Sequence, residues 1–150
     1  MNIGDKAPDF ELPMNGGGSI RLSDFAEKKV IVYFYPKDDT PGCTKEAQGF
    51  KEVYVDLQSK GVEVIGISKD PVKKHDKFVE KYDLPFSLGS DESGDVCEAY
   101  GVWVEKNMYG RKYMGIERAT FLIDESGNLL QAWRKVKVPG HVDAVLAALK

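Results

Sequence analysis

Cys43 lies at a position in this sequence where a thiol can react. It follows an apolar run, Val30–Tyr35, across the short segment Pro36–Gly42, and we expect a helix to begin near Thr44. Ligand sites of open α/β sheets gather at the carboxyl ends of strands. A helix N-terminus presents unpaired N–H groups and the positive end of a dipole, which favour a thiolate over a thiol. Cys43 is therefore a candidate nucleophile, although the position alone leaves open the alternative of a small buried hydrophobic side chain.

Reduction of a peroxide is one reaction that such a thiolate performs, and it needs partners of particular kinds. The site must orient the O–O bond and hold a cation for the charge on the leaving oxygen. The Thr40 hydroxyl, three residues before Cys43, is near enough to reach the sulfur or the peroxide, and Pro36 and Pro41 are expected to wall the pocket. Arg118 opens a predicted strand and offers a guanidinium that stays charged and donates in a fork. An exposed arginine at a strand end is the alternative for Arg118.

Apolar segments predict the strands that position these residues. Val30–Tyr35 and Val62–Ser68 are continuous hydrophobic runs of the kind found in strands buried on both faces. Ala119–Asp124 is a third, and Leu129–Val136 is expected to return antiparallel to it. The glycine run at 16–18 is expected to join two short strands, 9–12 and 19–22, as an N-terminal hairpin.

Helical patterns separate the strands. Ala47, Phe50, Val53 and Leu57 recur at three- and four-residue steps, and Gly61 is expected to cap that helix. A second helix is expected from an Asp70 N-cap to Tyr82, a short one around Cys97, and a last one near the C-terminus. Strands that alternate with helices predict an α/β thioredoxin-like fold. We expect one domain, residues 1–150, with a mixed central sheet, helices on both faces and an N-terminal β-hairpin.

The segment that carries Cys43 resembles a known signature. Pro36-x-x-x-Thr40-x-x-Cys43 is similar to the active-site motif of the peroxiredoxins, and Tyr33–Ala47 resembles the bacterioferritin comigratory protein, or peroxiredoxin Q, subfamily. The resemblance covers essentially all 150 residues. It implies a thioredoxin-like fold and a thiol-dependent peroxidase that reduces hydrogen peroxide and organic hydroperoxides. It also implies that Cys43 is the peroxidatic cysteine and that Pro36, Thr40 and Arg118 activate it. Further matches are Gly4–Phe10, Val64–Ser68, Tyr100–Trp103 and Arg118–Asp124.

The sequence departs from the subfamily at the resolving cysteine. Many members carry it five residues after the peroxidatic one, where this chain has Gln48, and others carry it in the next helix, where Asp70–Tyr82 contains none. Gln48 is either natural or an engineered replacement. We expect a one-cysteine cycle in which a small thiol, thioredoxin or glutaredoxin resolves the sulfenic acid. Cys97 is expected to be a buried structural cysteine, and the first helix turn is expected to unwind less than in two-cysteine relatives.

Charge and composition exclude several other classes. The net charge of -3, with mixed signs, argues against binding nucleic acid or an anionic membrane. No apolar segment is long enough to span a bilayer, and no export signal is present, so a cytoplasmic protein is expected. The subfamily resemblance implies a monomer or a weak dimer, and a monomer is expected. His75 and His141 are expected to be solvated or capping residues rather than metal ligands, and neither a metal nor a nucleotide cofactor is expected. Trp103 and Trp133 are expected to pack in the core or at the pocket rim.

Two other functions fit the same fold. A thiol–disulfide oxidoreductase normally carries a Cys-x-x-Cys pair, but Thr44, Lys45 and Glu46 follow Cys43 here. A redox-inert binding or holdase module predicts no peroxide turnover, and it gives no reason for Thr40, Cys43 and Arg118 to occur together. Glu46 either favours the helix start through the dipole or belongs to the pocket, and the sequence leaves this open.

Overall fold

Strands and helices alternate along most of the chain in this computed structural model, which describes residues 1–149. The strands are β1 (Glu11–Pro13), β2 (Ser19–Arg21), β3 (Lys29–Phe34), β4 (Val62–Ser68), β5 (Ser87–Ser90), β6 (Trp103–Met108), β7 (Arg111–Ile116), β8 (Ala119–Ile123) and β9 (Leu129–Trp133). The α-helices are α1 (Pro41–Ser59), α2 (Val72–Tyr82), α3 (Asp95–Ala99) and α4 (His141–Ala148), and a 3₁₀ helix spans Leu22–Phe25.

Five strands form a central mixed sheet in the order β5-β4-β3-β8-β9. β3 and β4 are parallel, as are β4 and β5, whereas β8 is antiparallel to β3 and β9 is antiparallel to β8. The expected mixed sheet, the antiparallel return and the N-terminal hairpin β1–β2 are confirmed. The active-site segment therefore follows the middle strand, at the carboxyl edge that β3 shares with β4 and β5.

Both faces of β3 are buried, because a hydrophobic cluster covers each side of the sheet. Side chains of successive strand residues point to opposite faces. One cluster includes Val32 and Phe34 and is completed by the N-terminal hairpin and α3. The other includes Ile31 and Tyr33 and is completed by α1, α2 and α4. Helices thus lie on both faces, as the sequence predicted.

Two helices begin at positions other than the predicted ones. The helix expected near Thr44 begins at Pro41, with Thr40 as its N-cap residue, because proline suits the first helical position. Cys43 is therefore inside the first turn and not before it. The second helix begins at Val72 with Pro71 as its N-cap residue. The expected cap at Asp70 is wrong, because its carboxylate accepts a hydrogen bond from the Asp38 backbone N–H instead, at 2.6 Å.

The sequence analysis missed one short strand and one hairpin. β5 is four residues long and contains Gly89, so its apolar signal is weak. The hairpin β6–β7 is mostly exposed and has little alternation of apolar and polar residues. Strands of this kind are defined by pairing with neighbours rather than by their own pattern.

Replacing Gly66 by alanine is expected to destabilise the protein by about 2 kcal/mol through overpacking. An added Cβ on this β4 residue would lie 2.7 Å from a Leu88 methyl carbon and 2.9 Å from the Tyr33 hydroxyl oxygen, and both side chains are buried. Urea denaturation of the reduced protein measures the change. Gly115→Ala in β7 is the control, since its Cβ meets the flexible Lys106 chain at 3.3 Å. Equal losses in both variants would contradict the overpacking argument.

Candidate active site

Cys43 is the third residue of α1, and its side chain is enclosed. The Thr44 N–H donates to the Thr40 carbonyl at 2.8 Å, which closes the first turn around the cysteine. Only 1% of Cys43 is exposed to solvent. The residue lies in the cluster formed by α1, α2 and α4 against the sheet, and its thiol is not part of a disulfide. A reagent bulkier than the –O–OH end of a peroxide reaches this sulfur only if the first turn moves.

Arg118 contacts Cys43 directly. It immediately precedes β8, the strand beside β3, and its Nη2 donates to Cys43 Sγ at 3.2 Å. Its Nη1 donates to Glu46 Oε1 at 2.7 Å, so one guanidinium holds two side chains of α1 that are three residues apart. Burial alone would lower the pKa of Arg118, but the facing Glu46 and Cys43 raise it. The alternative of an exposed strand-end arginine is wrong, since only 15% of the side chain is exposed.

Gly42 permits this approach. A Cβ at that position would lie 3.2 Å from Arg118 Nη2, a separation that requires the guanidinium to give way. Gly42 is the second residue of α1, and its missing side chain leaves room for the arginine.

Glu46 is fully buried beside the arginine, which settles the question that the sequence left open. Its Oε2 has no hydrogen-bond partner among the described residues and lies 3.9 Å from His141 Nε2. Burial raises the pKa of Glu46 to about 7, although the Arg118 charge and hydrogen bond act in the opposite direction. Glu46 therefore belongs to the pocket network and can exchange a proton near neutral pH.

The two histidines are buried, and the expectation that they are solvated or capping residues is wrong. His141, the first residue of α4, lies 2.7 Å from the Thr120 hydroxyl and packs against the rings of Phe50 and Trp133. Burial, and to a smaller extent the nearby Arg118 charge, lowers the pKa of His141 to about 4. His75, in α2, is 0% exposed. Its neighbours in the sequence are lysines and an aspartate, so the local pattern indicated an exposed helix face, although His75 itself points inward.

Thr40 and Pro36 lie near the cysteine without bonding to it. The Thr40 hydroxyl donates to the Lys37 carbonyl at 2.8 Å and not to the sulfur. Pro36 is exposed and lines a cleft of about 370 Å³ together with Trp103 and Lys106. Trp103 is therefore at a pocket rim, as predicted. Burial lowers the pKa of Lys106, and the Arg118 charge acts in the same direction. Ile116, two residues before Arg118, also lines this cleft.

Cys97 is on the other side of the central sheet. It belongs to the cluster that the N-terminal hairpin and α3 complete, whereas Cys43 belongs to the opposite cluster. Its backbone N–H donates to buried Asp91 at 2.8 Å, and burial followed by that carboxylate raises the pKa of the thiol. The predicted burial of Cys97 is confirmed.

Residues 1–149 contain no group of three or more side chains placed to hold a metal ion. Over the same residues, no helix has the length and apolar character needed to cross a membrane.

Comparisons with known proteins show the family of the chain. The AhpC/TSA family matches residues 3–132. A Coxiella burnetii protein provisionally named peroxiredoxin bcp is 58% identical over 149 residues, which are 99% of each chain. Peroxiredoxin Bcp of Bacillus subtilis is 48% identical over 150 residues, 100% of this chain and 96% of the relative.

Two solved structures share the fold over nearly the whole chain. A cysteine-to-serine variant of Xylella fastidiosa PrxQ has a TM-score of 0.94 and 40% identity, and covers 99% of this chain and 95% of its own. The Xanthomonas campestris bacterioferritin comigratory protein has a TM-score of 0.89 and 46% identity, with 93% of this chain and 89% of that one covered. The fold, a buried cysteine at a helix N-terminus and these likenesses together identify the chain as a member of the AhpC/TSA family, a thiol-dependent peroxidase similar to the peroxiredoxins Bcp and PrxQ.

Proposed function

We propose that Cys43 is the nucleophile of this peroxidase and that it reduces hydrogen peroxide and alkyl hydroperoxides. The observation that carries the proposal is the 3.2 Å contact between Arg118 Nη2 and Cys43 Sγ in a pocket closed to bulk water. A charged donor has a stronger effect there than in water, because the local dielectric constant is lower. Arg118 is suited both to keep the sulfur anionic and to hold a peroxide oxygen beside it.

The chemical step follows from this geometry. The Cys43 thiolate attacks one oxygen of the peroxide, a bond forms between sulfur and that oxygen, and the O–O bond breaks. Its electron pair leaves with the other oxygen, which takes up a proton and departs as water or an alcohol. The sulfur is oxidised by two electrons to a sulfenic acid, and the peroxide is reduced by two. Arg118 stabilises the charge that develops on the departing oxygen.

An external thiol is proposed to complete the cycle. Its sulfur attacks the Cys43 sulfenic acid, water leaves, and the mixed disulfide is then reduced by a second thiol. Gln48 carries no thiol and is exposed, and Cys97 is separated from Cys43 by the central sheet. These positions support a one-cysteine cycle with a small thiol, thioredoxin or glutaredoxin as the reductant.

The substrate class is supported by a relative and by the cleft. The Xanthomonas campestris protein has alkyl peroxide reduction activity. Here the cleft that Pro36 lines also includes Trp103, Met114 and Ile116, whose apolar surfaces suit an alkyl group. Pro36 is proposed to shape the entry to this cleft. The Thr40 hydroxyl is proposed to turn from the Lys37 carbonyl toward a bound peroxide.

We also propose that residues 1–150 form one domain that acts as a monomer in the cytoplasm. One sheet supports both hydrophobic clusters, which favours a single domain. Both cysteines are unpaired, as suits a reducing compartment. Sedimentation of the reduced protein tests the monomer. Any association would most readily involve the exposed side chains of the β6–β7 hairpin, among them Met108, Tyr109 and Met114.

Intact mass spectrometry with a sulfenic-acid trap tests the function. After one equivalent of hydrogen peroxide we expect the trapped adduct on Cys43 in the wild type and in Cys97→Ser, and no adduct in Cys43→Ser. An internal disulfide between Cys43 and Cys97 would show that the cycle uses two cysteines. No rapid oxidation of Cys43 would overturn its proposed role and favour a redox-inert module.

A further inference from the structure

A second buried network ties the segment before Cys43 to α2. Asp38, in the loop between β3 and α1, is 8% exposed, and His75, in α2, is 0% exposed. Asp38 Oδ2 lies 2.6 Å from His75 Nδ1, and His75 Nε2 lies 3.0 Å from the Gly89 carbonyl oxygen of β5. The Tyr35 hydroxyl donates to Asp38 Oδ1 at 2.5 Å. Asp38 thus joins the active-site loop to the end of β3 through Tyr35 and to α2 through His75, which in turn contacts β5.

This pattern requires a proton between Asp38 and His75. A neutral imidazole has one N–H, yet both ring nitrogens here face oxygen atoms that accept hydrogen bonds. In either neutral tautomer, one nitrogen lone pair would face either the Asp38 carboxylate or the Gly89 carbonyl. Both contacts are satisfied only if a proton lies between Nδ1 and Oδ2, whichever of the two atoms holds it.

That proton also balances the charge of the pair. With the proton present, Asp38 and His75 are neutral together. Without it, the pair carries a negative charge at a site from which solvent is excluded, which is costly. Within residues 1–149, no lysine or arginine forms an ion pair with Asp38. The Asp70 carboxylate, which accepts from the Asp38 N–H at 2.6 Å, adds a second nearby acidic group.

The groups that face the pair come from every element packed around it. They are the Tyr35 hydroxyl after β3, Asp70 ahead of α2 with Ser68 of β4 at 3.4 Å from it, and the Gly89 carbonyl of β5. None of them is a cation. The remaining link between the loop and α2 is exposed, because Asp39 accepts from Lys81 at 2.8 Å and from Tyr82 at 2.6 Å at the surface.

We propose that the proton shared by Asp38 and His75 is a latch that holds the loop 36–40, and with it the first turn of α1, in the closed arrangement around Cys43. His75 is then a positioning residue, since it acts through Asp38 and does not touch the sulfur. This inference rests on the proposed role of Cys43. The closed arrangement favours reaction with peroxide, whereas a break in the Asp38–His75 contact opens the loop and favours access of the external thiol.

The closed latch explains a requirement of the one-cysteine cycle. Cys43 is 1% exposed, so an external thiol meets its sulfenic acid only after the first turn moves. No residue of α2 supplies a resolving thiol, because that helix contains no cysteine. The helix is therefore free to serve as a fixed support for the loop.

Two substitutions distinguish the effect of the shared proton from the effect of the hydrogen bonds. Asp38→Asn presents an amide N–H to Nδ1 of a neutral His75, whose Nε2–H still donates to the Gly89 carbonyl, so all contacts survive without a shared proton. His75→Gln keeps a donor near the position of Nε2 and loses the contact with Asp38. Lys77→Gln, an exposed change in the same helix, is the control.

Nuclear magnetic resonance shows directly whether a proton lies between Asp38 and His75. The ¹⁵N shifts of His75 and the ¹³C shift of the Asp38 carboxyl are measured in the reduced protein at pH 7. We expect a proton between the two groups. A bare His75 nitrogen beside an ionised Asp38 at pH 7 would overturn the proposal.

Amide hydrogen exchange of residues 36–44 measures how readily the loop opens. We expect His75→Gln to lose about tenfold in protection relative to the wild type, as for one buried hydrogen bond. Asp38→Asn keeps every contact and should stay close to the wild type. Full protection in His75→Gln, or a loss in Asp38→Asn as large as that in His75→Gln, would overturn the latch.

The functional test measures two reactions separately: the oxidation of Cys43 by peroxide and the reaction of its sulfenic acid with a thiol. In His75→Gln we expect oxidation of Cys43 by hydrogen peroxide to slow by about tenfold, as a misplaced reacting group does. The reaction of its sulfenic acid with a coloured aromatic thiol should become faster. Lys77→Gln should match the wild type in both, and a parallel fall of both rates in His75→Gln would overturn the proposal. If Cys43 is oxidised in no protein, the proposed function fails, while the resonance and exchange data still decide the latch.

Discussion

Arg118→Leu is expected to slow the reaction of the protein with hydroperoxide by about a hundredfold to a thousandfold, the usual loss for one charge-stabilising donor in a closed site. Arg118 is the only cation that hydrogen-bonds to Cys43 Sγ within residues 1–149. Its loss removes the group that favours the thiolate and the group that faces the departing oxygen. Stopped-flow measurement of Cys43 oxidation by cumene hydroperoxide, with the peroxide in excess, gives the second-order rate constant.

The fold should survive this change. Leucine leaves the Glu46 carboxyl without its 2.7 Å partner, but burial already raises the pKa of that group to about 7, so it takes up a proton when the positive charge is gone. A neutral buried carboxyl costs far less than an unpaired buried charge. Circular dichroism and the urea midpoint of the reduced variant check this point before rates are compared.

Two further substitutions test whether the guanidinium fork matters beyond its charge. Arg118→Lys keeps the charge but cannot bridge Cys43 and Glu46 in one plane, and a loss of about tenfold is expected. Arg111→Leu removes an exposed arginine from β7 and should leave the rate unchanged. A loss smaller than about tenfold in Arg118→Leu would contradict the role assigned to the arginine.

The sequence predicted the strand and the helix that position Cys43, because each of them is specified by a local pattern of residues. The apolar run before Pro36 predicts a buried strand, and a buried strand that leads into a helix predicts an accessible edge for Cys43. Arg118 is also visible as the residue that immediately precedes β8. Its contact with Cys43 follows from the pairing of β8 with β3, which puts Phe34 opposite Ala119. A pattern read along the chain does not contain that pairing.

The groups that the sequence analysis misjudged are polar residues whose partners are distant. His75 lies among charged residues of α2, yet it faces Asp38 across 37 positions of the chain. His141 opens a helix and packs against Phe50 and Trp133, and its nearest carboxylate is on α1. The signal available for Glu46 was its place one turn after Cys43 on the same helix face. Burial of a polar group is decided by tertiary packing, and its residue type gives little warning.

Glu46 and His141 are expected to oppose each other in the pH dependence of stability. The pKa of Glu46 is raised from 4.5 to about 7, so the folded state binds its proton more tightly than the unfolded state does. Its stabilising contribution is complete below pH 4.5 and is lost as the pH rises to about 7. The pKa of His141 is lowered from 6.5 to about 4, so its contribution is complete above pH 6.5 and is lost as the pH falls to about 4. Between these values one contribution rises as the other falls, and the wild-type curve should be comparatively flat.

Glu46→Gln removes one of the two opposing contributions, and its effect should therefore depend on pH. Relative to the wild type, the variant is expected to gain about 3 kcal/mol in its free energy of unfolding between pH 4.5 and pH 7, because glutamine cannot ionise in the buried site. Urea denaturation of the reduced proteins at half-unit steps from pH 4.5 to 8 measures this difference. Glu52→Gln, an exposed change on the same helix, should give a difference that does not vary with pH. A flat difference for Glu46→Gln as well would mean that Glu46 is ionised throughout and paired with Arg118. The arginine would then share its charge with a carboxylate at every pH, and less of its field would be left for the sulfur.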